Sequence, residues 1–192
     1  QISAWADVMG LDPSELADWN EIDVAALVND IAGLPVEVYN DATAACAAEM
    51  VLGSSLTFSS ALYVYVGTFV GGGVVINGQL FEGAQRNAGA IGSMPVADGK
   101  GGEEQLIRQG SLLPLENALR AAGLGALGTV AEVARDPRAA PAFDAWCARA
   151  APPVAQAIAA ALSVIDFEGV VIDAMLHGPQ VAAFVEAVGD AL

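Results

Sequence analysis

The chain has 192 residues, 55% of them hydrophobic and 16% charged, which excludes a disordered polypeptide and leaves enough length to bury roughly 70% of its unfolded surface. Twenty-three acids against seven bases give a formal charge of −16, so this stretch by itself is a poor binder of nucleic-acid backbones. Its two cysteines, Cys46 and Cys147, lie far apart and supply neither a disulfide framework nor a metal knuckle; both read as reduced, buried side chains.

The first third reads as helical. Ser14 precedes Glu15 at a helix start, and residues 23–28 carry apolar side chains at helical spacing up to a stop at Gly33. Residues 35–39 alternate and predict a short strand ending at Asn40 and Asp41. Residues 42–52 predict a helix closed by Gly53. The middle is β-rich. The apolar run 61–66 predicts a strand covered on both faces. Residues 67–73 read as a glycine-rich turn and 74–76 as a second strand. Asn77-Gly78 is a strong hairpin signal leading into a third strand at 79–81.

Residues 83–102 read as a glycine-rich loop. Beyond them the chain is mostly helix, with Glu103-Glu104 at a helix start, where acids suit the dipole. Val154, Ile158, Leu162 and Ile165 share one helical face, and Pro152-Pro153 start or kink that helix. Residues 169–172 predict a last buried strand, and 181–188 a final helix capped by Gly189. The apolar stretch around 150–165 falls short of a spanning helix, and no signal peptide stands at Gln1. The fold class expected is α/β with a mixed sheet and a β-meander, followed by a helical C-terminal part.

Three segments can carry chemistry. Asn40-Asp41 sits where a strand ends and a helix opens, a ligand-binding place in α/β proteins. A carboxylate there can take a proton from a substrate hydroxyl; both residues are equally good helix N-caps. The turn 67–73 can bring backbone amides to a phosphate, or be a plain hairpin loop; it is not a Walker A loop, since no Gly-Lys-Ser/Thr follows. Gln85, Arg86, Asn87 and Ser93 in the segment 83–96 can bind a polyhydroxylated ligand, or belong to a structured surface loop. The lone His177 reads as a helix-start or surface residue, and the seven basic residues form no anion clamp.

Taken in order, Asn-Asp-Ala, then Gly-Thr-x-x-Gly-Gly-Gly with Asn-Gly at the far turn, then Gly-Ala-x-x-x-Ala-Gly-x-Ile-Gly resembles the ROK family of bacterial sugar kinases and sugar-responsive repressors. The matching core runs over 35–96, and 166–172 resembles the family's last strand. The resemblance implies an actin/hexokinase-like (ribonuclease H-like) fold of two lobes. Asp41 takes the position of the catalytic base and Asn40 that of a sugar ligand. Gly67, Thr68, Gly71 and Gly72 take the phosphate loop for ATP, and Gly89 and Ser93 fall in the sugar loop. The departures are instructive. Ala90 stands where kinases carry an acid, Ser93 where they carry a zinc-holding His, and no cysteine follows in 97–104. Structural zinc needs four N/S ligands, so no zinc is expected. Asp173-Ala174 replaces a Gly-Gly pair near the adenine.

Read this way, residues 1–192 are the C-terminal part of a ROK-type sugar-binding, kinase-like domain. The first phosphate loop and any helix-turn-helix would lie upstream of Gln1. The expected function is sugar binding and dimerisation in a cytoplasmic transcriptional regulator that is catalytically impaired. Its effector would be a sugar or sugar phosphate, it would need no resident cofactor, and DNA would be reached only through an upstream domain. The alternatives are an ATP-dependent sugar kinase using ATP and Mg, and a non-catalytic degenerate paralogue.

Overall fold

The computed structural model describes residues 6, 11–53, 57–125, 129–133 and 135–192. They fall into two compact units, 1–39 and 40–192. In the first, a 3-10 helix Pro13–Asn20 opens on a capping box: Asp12 accepts from the Ser14 amide and Glu15 reaches back to the Asp12 amide. The cap is thus Asp12, upstream of the Ser14 start expected from sequence. Helix α1 (Val24–Ala32) is capped by Asp23, which accepts from the Ala26 amide at 3.0 Å, and ends at Gly33, as expected. Residues 35–39 form no strand. Alternation is only half of a strand's requirement; the other half is a ladder partner, and no described residue pairs with them.

The second unit is built on a four-stranded mixed sheet in the order β3-β2-β1-β6. The central strand β1 (Ala61–Val66) is almost wholly buried, as its continuous apolar run predicts. It pairs antiparallel with β2 (Val70–Ile76), which turns through Asn77-Gly78 into the short β3 (Gln79–Leu80). Asn77 and Gly78 both have positive φ, 53° and 73°, as a two-residue hairpin turn of this hand requires. On its other edge β1 pairs in parallel with β6 (Gly169–Ala174). The Glu168 carboxylate fixes this register, accepting from the Ser59 amide at 2.9 Å and hydroxyl at 2.7 Å.

Strand β2 starts at Val70, so only residues 67–69 form the turn, and Gly71, Gly72 and Gly73 belong to the strand. The reason is helix α2 (Asp41–Leu52), which lies on that face of the sheet. A Cβ at Gly71 would stand 2.8 Å from the Cβ of Ala42, and one at Gly73 only 2.5 Å from that of Cys46. The glycines let the helix come down onto the strand, where Cys46 joins Ala61, Tyr63, Val75 and Val171 in one buried cluster.

The rest of the unit is largely helical. Residues 103–105, expected to open a helix, instead form β5 (Glu103–Gln105), paired antiparallel with β4 (Pro95–Ala97). The hairpin pairing with residues 95–97 supplies ladder hydrogen bonds, which outweigh the helix-start preference of Glu103 and Glu104. Helices α3 (Leu106–Gln109), α4 (Leu113–Ala121), α5 (Val130–Val133), α6 (Ala140–Val164) and α7 (Gly178–Ala191) follow. Trp146 on α6 stacks on Phe184 of α7 at a centroid distance of 4.8 Å. Helix α6 begins at Ala140 and continues through Pro152 and Pro153, so the prolines do not start it. With the preceding turn, Pro137–Val164 is long and apolar enough to cross a membrane by length and composition. Its buried side, which includes Trp146, Ala150, Val154 and Ile158, instead packs against α3, α4 and α7. Helix α7 runs through Gly189 to Ala191 rather than stopping there.

Candidate functional site

The parallel pair β1 and β6 leaves its carboxyl ends at one edge of the sheet, where α/β proteins bind ligands. Asn40 and Asp41 open α2 beside this edge. The Asn40 side-chain oxygen accepts from the amides of Ala42 (3.1 Å) and Thr43 (3.3 Å), so it is an N-cap in fact as well as in pattern. Asp41 is exposed, and its Oδ1 accepts from the Ala42 amide at 2.9 Å. Its carboxylate oxygens can accept from ligand hydroxyls.

From Asp41 the face continues across the strands. Ala42 sits on Gly71, Gly71 pairs with Tyr65, and Tyr65 pairs with Asp173. Both oxygens of Asp173 are held: Oδ2 by the Tyr63 hydroxyl at 2.8 Å and Oδ1 by the Ala174 amide at 2.7 Å. Burial raises the Tyr63 phenol pKa, and the bond to Asp173 raises it further. Tyr65 is shifted upward by burial, then by the carboxylates of Asp173 and Asp41. Both phenols therefore keep their protons at neutral pH. The buried Tyr63 hydroxyl is spent on Asp173, so the edge offers the half-buried Tyr65 phenol beside carboxylates, a pattern that suits ligands whose own hydroxyls donate and accept.

The turn at Gly67 and Thr68 is bound to the helical part. Their carbonyls accept from the amides of Leu112 (2.9 Å) and Leu113 (3.2 Å), and the Thr68 hydroxyl donates to Glu116 at 2.8 Å. The Val70 amide donates to the buried Ser111 hydroxyl at 2.9 Å, which donates in turn to the Ile107 carbonyl at 2.6 Å. Beside the turn lies a cavity of about 250 Å³ lined by Thr68, Glu116, Arg120, Thr129 and Met175. Of the residues matched to a phosphate loop, Gly67 and Thr68 thus belong to a turn, while Gly71 and Gly72 lie in a strand.

The segment 83–94 packs on the other side of β2. Gly89 has φ +81°, and a Cβ there would come within 2.7 Å of the Gly72 carbonyl oxygen, so both conformation and closeness demand glycine. Gly92 abuts the Val70 carbonyl, and Ser93 is exposed at the end of the 3-10 turn Ile91–Ser93. Gly71 and Gly92 therefore mark the same end of β2 from its two faces, Asp41 following one and Ser93 the other. A second, apolar cavity of about 290 Å³ is lined by Leu62, Gly89, Ile91, Ala161 and Phe167. Asp41 lines neither cavity.

Among the described residues no group of three or more His, Cys, Asp or Glu is arranged to hold a metal ion. The hairpin β4–β5, where a zinc cluster would be sought, is tied by side chains: Asp98 accepts from the amides of Lys100 (2.7 Å) and Gly102 (2.8 Å), Gln109 donates to the Ala97 carbonyl, and Gln156 accepts from the Ala97 amide. His177 is the N-cap residue of α7, in line with its reading as a helix-start residue. Burial, then Glu49, pushes the Cys46 thiol up to about 11, and Cys147 is also buried. Sequence reasoning missed Tyr63, Tyr65, Glu116 and Ser111. The tyrosines were visible only as apolar strand residues, and the partners of Tyr63 and Thr68 lie 110 and 48 positions away.

Comparison with known proteins gives the chain a family and a fold. The model of the ROK family matches residues 12–110, just over half of the chain. The xylose repressor of Bacillus subtilis (strain 168) is 30% identical over 80 residues, which cover 42% of this chain and 21% of the repressor. The bifunctional enzyme NanE/NanK of Brucella melitensis biotype 1 is 30% identical over 170 residues, 84% of this chain and 31% of the enzyme. The crystal structure of the ROK hexokinase from Thermus thermophilus superposes with a TM-score of 0.62 at 27% identity, over 90% of this chain and 61% of the hexokinase. The chain thus spans less than two thirds of each of these relatives, and it shares the hexokinase-type fold with its mixed sheet. With sugar kinases and a repressor both among its relatives, the chain belongs to the ROK family.

Proposed function

We propose that this chain is the effector-binding and dimerisation part of a sugar-responsive transcriptional regulator, with phosphoryl transfer impaired. In this reading residues 1–192 are the C-terminal part of a ROK-type sugar-binding domain, and the phosphate loop and DNA-binding segment lie upstream. The observation that carries the reading is the carboxylate lining of the sheet edge. Asp41 matches the base position, yet Asp173 is fixed on β6 beside Tyr65 of β1, and Glu116 is bonded to Thr68 at the turn. Phosphoryl transfer depends on positioning and charge neutralisation, and carboxylates at this edge oppose an incoming triphosphate. The edge beside the Thr68 cavity, with Glu116 in its lining, does not suit the phosphates of ATP. Zinc does not fit either, because 93–102 contains no cysteine or histidine. Asn40, Asp41 and the segment at Gly89 and Ser93 supply the hydroxyl contacts, with the Tyr65 phenol as a further donor.

The test is a phosphotransfer assay of the full-length protein with Mg-ATP over hexoses, pentoses and amino sugars. Turnover is expected to be absent or very low, and elemental analysis is expected to find less than one zinc per chain. Calorimetric titration with the same sugars is expected to show binding that Asp41→Asn and Asn40→Ala each weaken by about ten-fold, the loss of one charge-assisted hydrogen bond or its equivalent. Unchanged affinity in both variants would show that Asn40 and Asp41 serve only the start of α2.

The second reading is a sugar kinase of the same family. The specific observation in its favour is that the similarity to the NanE/NanK enzyme extends over 84% of the chain, against 42% for the repressor. Robust turnover abolished by Asp41→Asn would put this reading first.

A further inference from the structure

The apolar cavity of about 290 Å³ opens on the face of the sheet opposite α2. Leu62 and Val74, paired across β1 and β2, reach it from the sheet. Ile91 and Met94 line it from one segment, Val164 and Phe167 from the end of α6 and the residues after it. Among the described residues that line it none is charged, whereas the cavity beside Thr68 holds Glu116 and Arg120. Asn40, Asp41 and Ser93 do not line it; of the residues given sugar contacts above, only Gly89 does. Leu62, Val74 and Ile91 are buried, but Val164, the last residue of α6, is 83% exposed. An apolar side chain left in water on the lip of an apolar cavity marks a contact surface. Charges stand at its two margins. Arg86 precedes the lining residue Asn87, and Asp166 lies between the lining residues Ile165 and Phe167. Both are exposed, Arg86 beside Glu82 at 3.6 Å. Arg86 is held at φ 53°, a left-handed conformation uncommon outside Gly, Asn and Asp, and no Lys or Arg precedes it in the chain.

We infer that this cavity is the centre of an isologous interface between two copies of the chain. The inference rests on the dimerisation named in the proposed function and gives it a surface. The chain's own charge selects the face. Each copy carries −16, so contact between acid-bearing surfaces is repulsive. A face with an uncharged centre and one charge of each sign at its margins escapes that repulsion. A two-fold axis through the cavity exchanges its two sides. Arg86 of each copy then meets Asp166 of the other, and the exposed Val164 of each is covered by the other's cavity.

The experiment is analytical ultracentrifugation of the full-length protein from nanomolar to micromolar concentration. The wild type is expected to dimerise. Val164→Asp places a charge on both lips and is expected to raise the dimer Kd by about a hundred-fold. Its side chain is exposed, so the melting temperature of the dilute, monomeric protein is expected to stay unchanged. Arg86→Glu and Asp166→Arg each set like charges together twice per dimer and are each expected to weaken it by about ten-fold. The double variant restores opposite signs and is expected to return to within about three-fold of the wild type. The swap separates the pairing from net charge. Asp166→Arg makes each copy less negative, so a general charge effect would tighten the dimer instead. A wild type that stays monomeric throughout would leave the cavity to another protein or an apolar ligand and overturn the inference. A dimer that tightens with Asp166→Arg, or is indifferent to Val164→Asp, would also overturn it. Calorimetric sugar titration of wild type and Val164→Asp keeps the two readings apart. Failure to bind any sugar counts against the effector reading, while the dimer measurements still decide the interface.

Discussion

Two contacts hold the second unit together by opposite means. Where α2 meets β2, the constraint is volume: Gly71 and Gly73 have no side chains, and the helix occupies the space that a Cβ would need. In the hairpin β4–β5, the constraint is polar: Asp98, Gln109 and Gln156 hold backbone groups that no helix or sheet partner satisfies. The first is a dry contact beside the candidate site and sets where Asp41 stands. The second is an exposed clamp that in related kinases would be the place to look for metal. A packed contact fails all at once when a carbon is added. A polar clamp at the surface loosens by degrees, because water replaces each lost partner.

The sharpest way to break the contrast is Gly73→Val. Its Cβ would lie 2.5 Å from the Cys46 Cβ and 2.7 Å from the Sγ, with strand backbone on one side and helix on the other. A loss of about 3 kcal/mol is expected in denaturant unfolding. Gly73→Ala tests the mechanism more finely. Cys46→Ala removes the sulfur but keeps the clashing Cβ and is expected to rescue little. Cys46→Gly removes the Cβ and is expected to recover most of the loss, less about 1 kcal/mol for a glycine inside a helix. Additive effects of Gly73→Ala and Cys46→Gly would show that the helix does not rest on the strand as described.

Ser111 is expected to show a smaller effect. It is fully buried, and its hydroxyl is the acceptor for the Val70 amide where the turn enters β2. Ser111→Ala strands that amide without water, at a cost of about 2 kcal/mol. Thermal unfolding is expected to shift by roughly 4–8 °C, at about 2–4 °C per kcal/mol for a chain of this size. A shift under a degree would mean that the amide finds another partner.

How much of this was legible beforehand depends on whether a residue's reason lies near it in sequence. The helix 41–52, the central strand 61–66 and the Asn77-Gly78 turn were readable because propensity, caps and turn chemistry are local. Gly71 to Gly73 read as a turn because glycine's usual reason is conformational; here Gly71 and Gly73 admit a helix that starts thirty residues earlier, at Asp41, and Gly72 admits the backbone of Gly89 on the other face. Glu103 and Glu104 were misassigned because their strand partner, Pro95–Ala97, carries no local signal of pairing. Asn40 and Asp41 stand out in sequence as a cap pattern at a strand end; the structure puts them at the head of α2, with no strand before them. The clamp of Tyr63 on Asp173 was invisible, since it needs the parallel register between strands that lie over a hundred residues apart.

The smallest effect belongs to the hairpin and is read residue by residue. The Asp98 carboxyl is held below its ordinary value chiefly by the Lys100 amide and then by the Gly102 amide. A carboxyl whose folded pKa is depressed contributes order that is complete above its unfolded value, near 3.9, and is lost as pH falls through the folded value. The side chain is only partly buried and its bonds are local to the hairpin tip, so no measurable change in global stability is expected. The prediction instead concerns the amide resonances of Lys100 and Gly102. On acidification they are expected to titrate together, with a midpoint below about 3.9. In Asp98→Ala that titration is expected to vanish, and both amides to exchange with solvent faster at every pH, while the amides of β2 stay as protected as in the wild type. Asp98→Asn separates charge from geometry, since its one remaining oxygen can still accept from an amide. It is expected to keep part of the protection and lose the titration. Protection of Lys100 and Gly102 that persists unchanged in Asp98→Ala, and falls on adding a chelator, would mean that a metal rather than this carboxylate closes the hairpin.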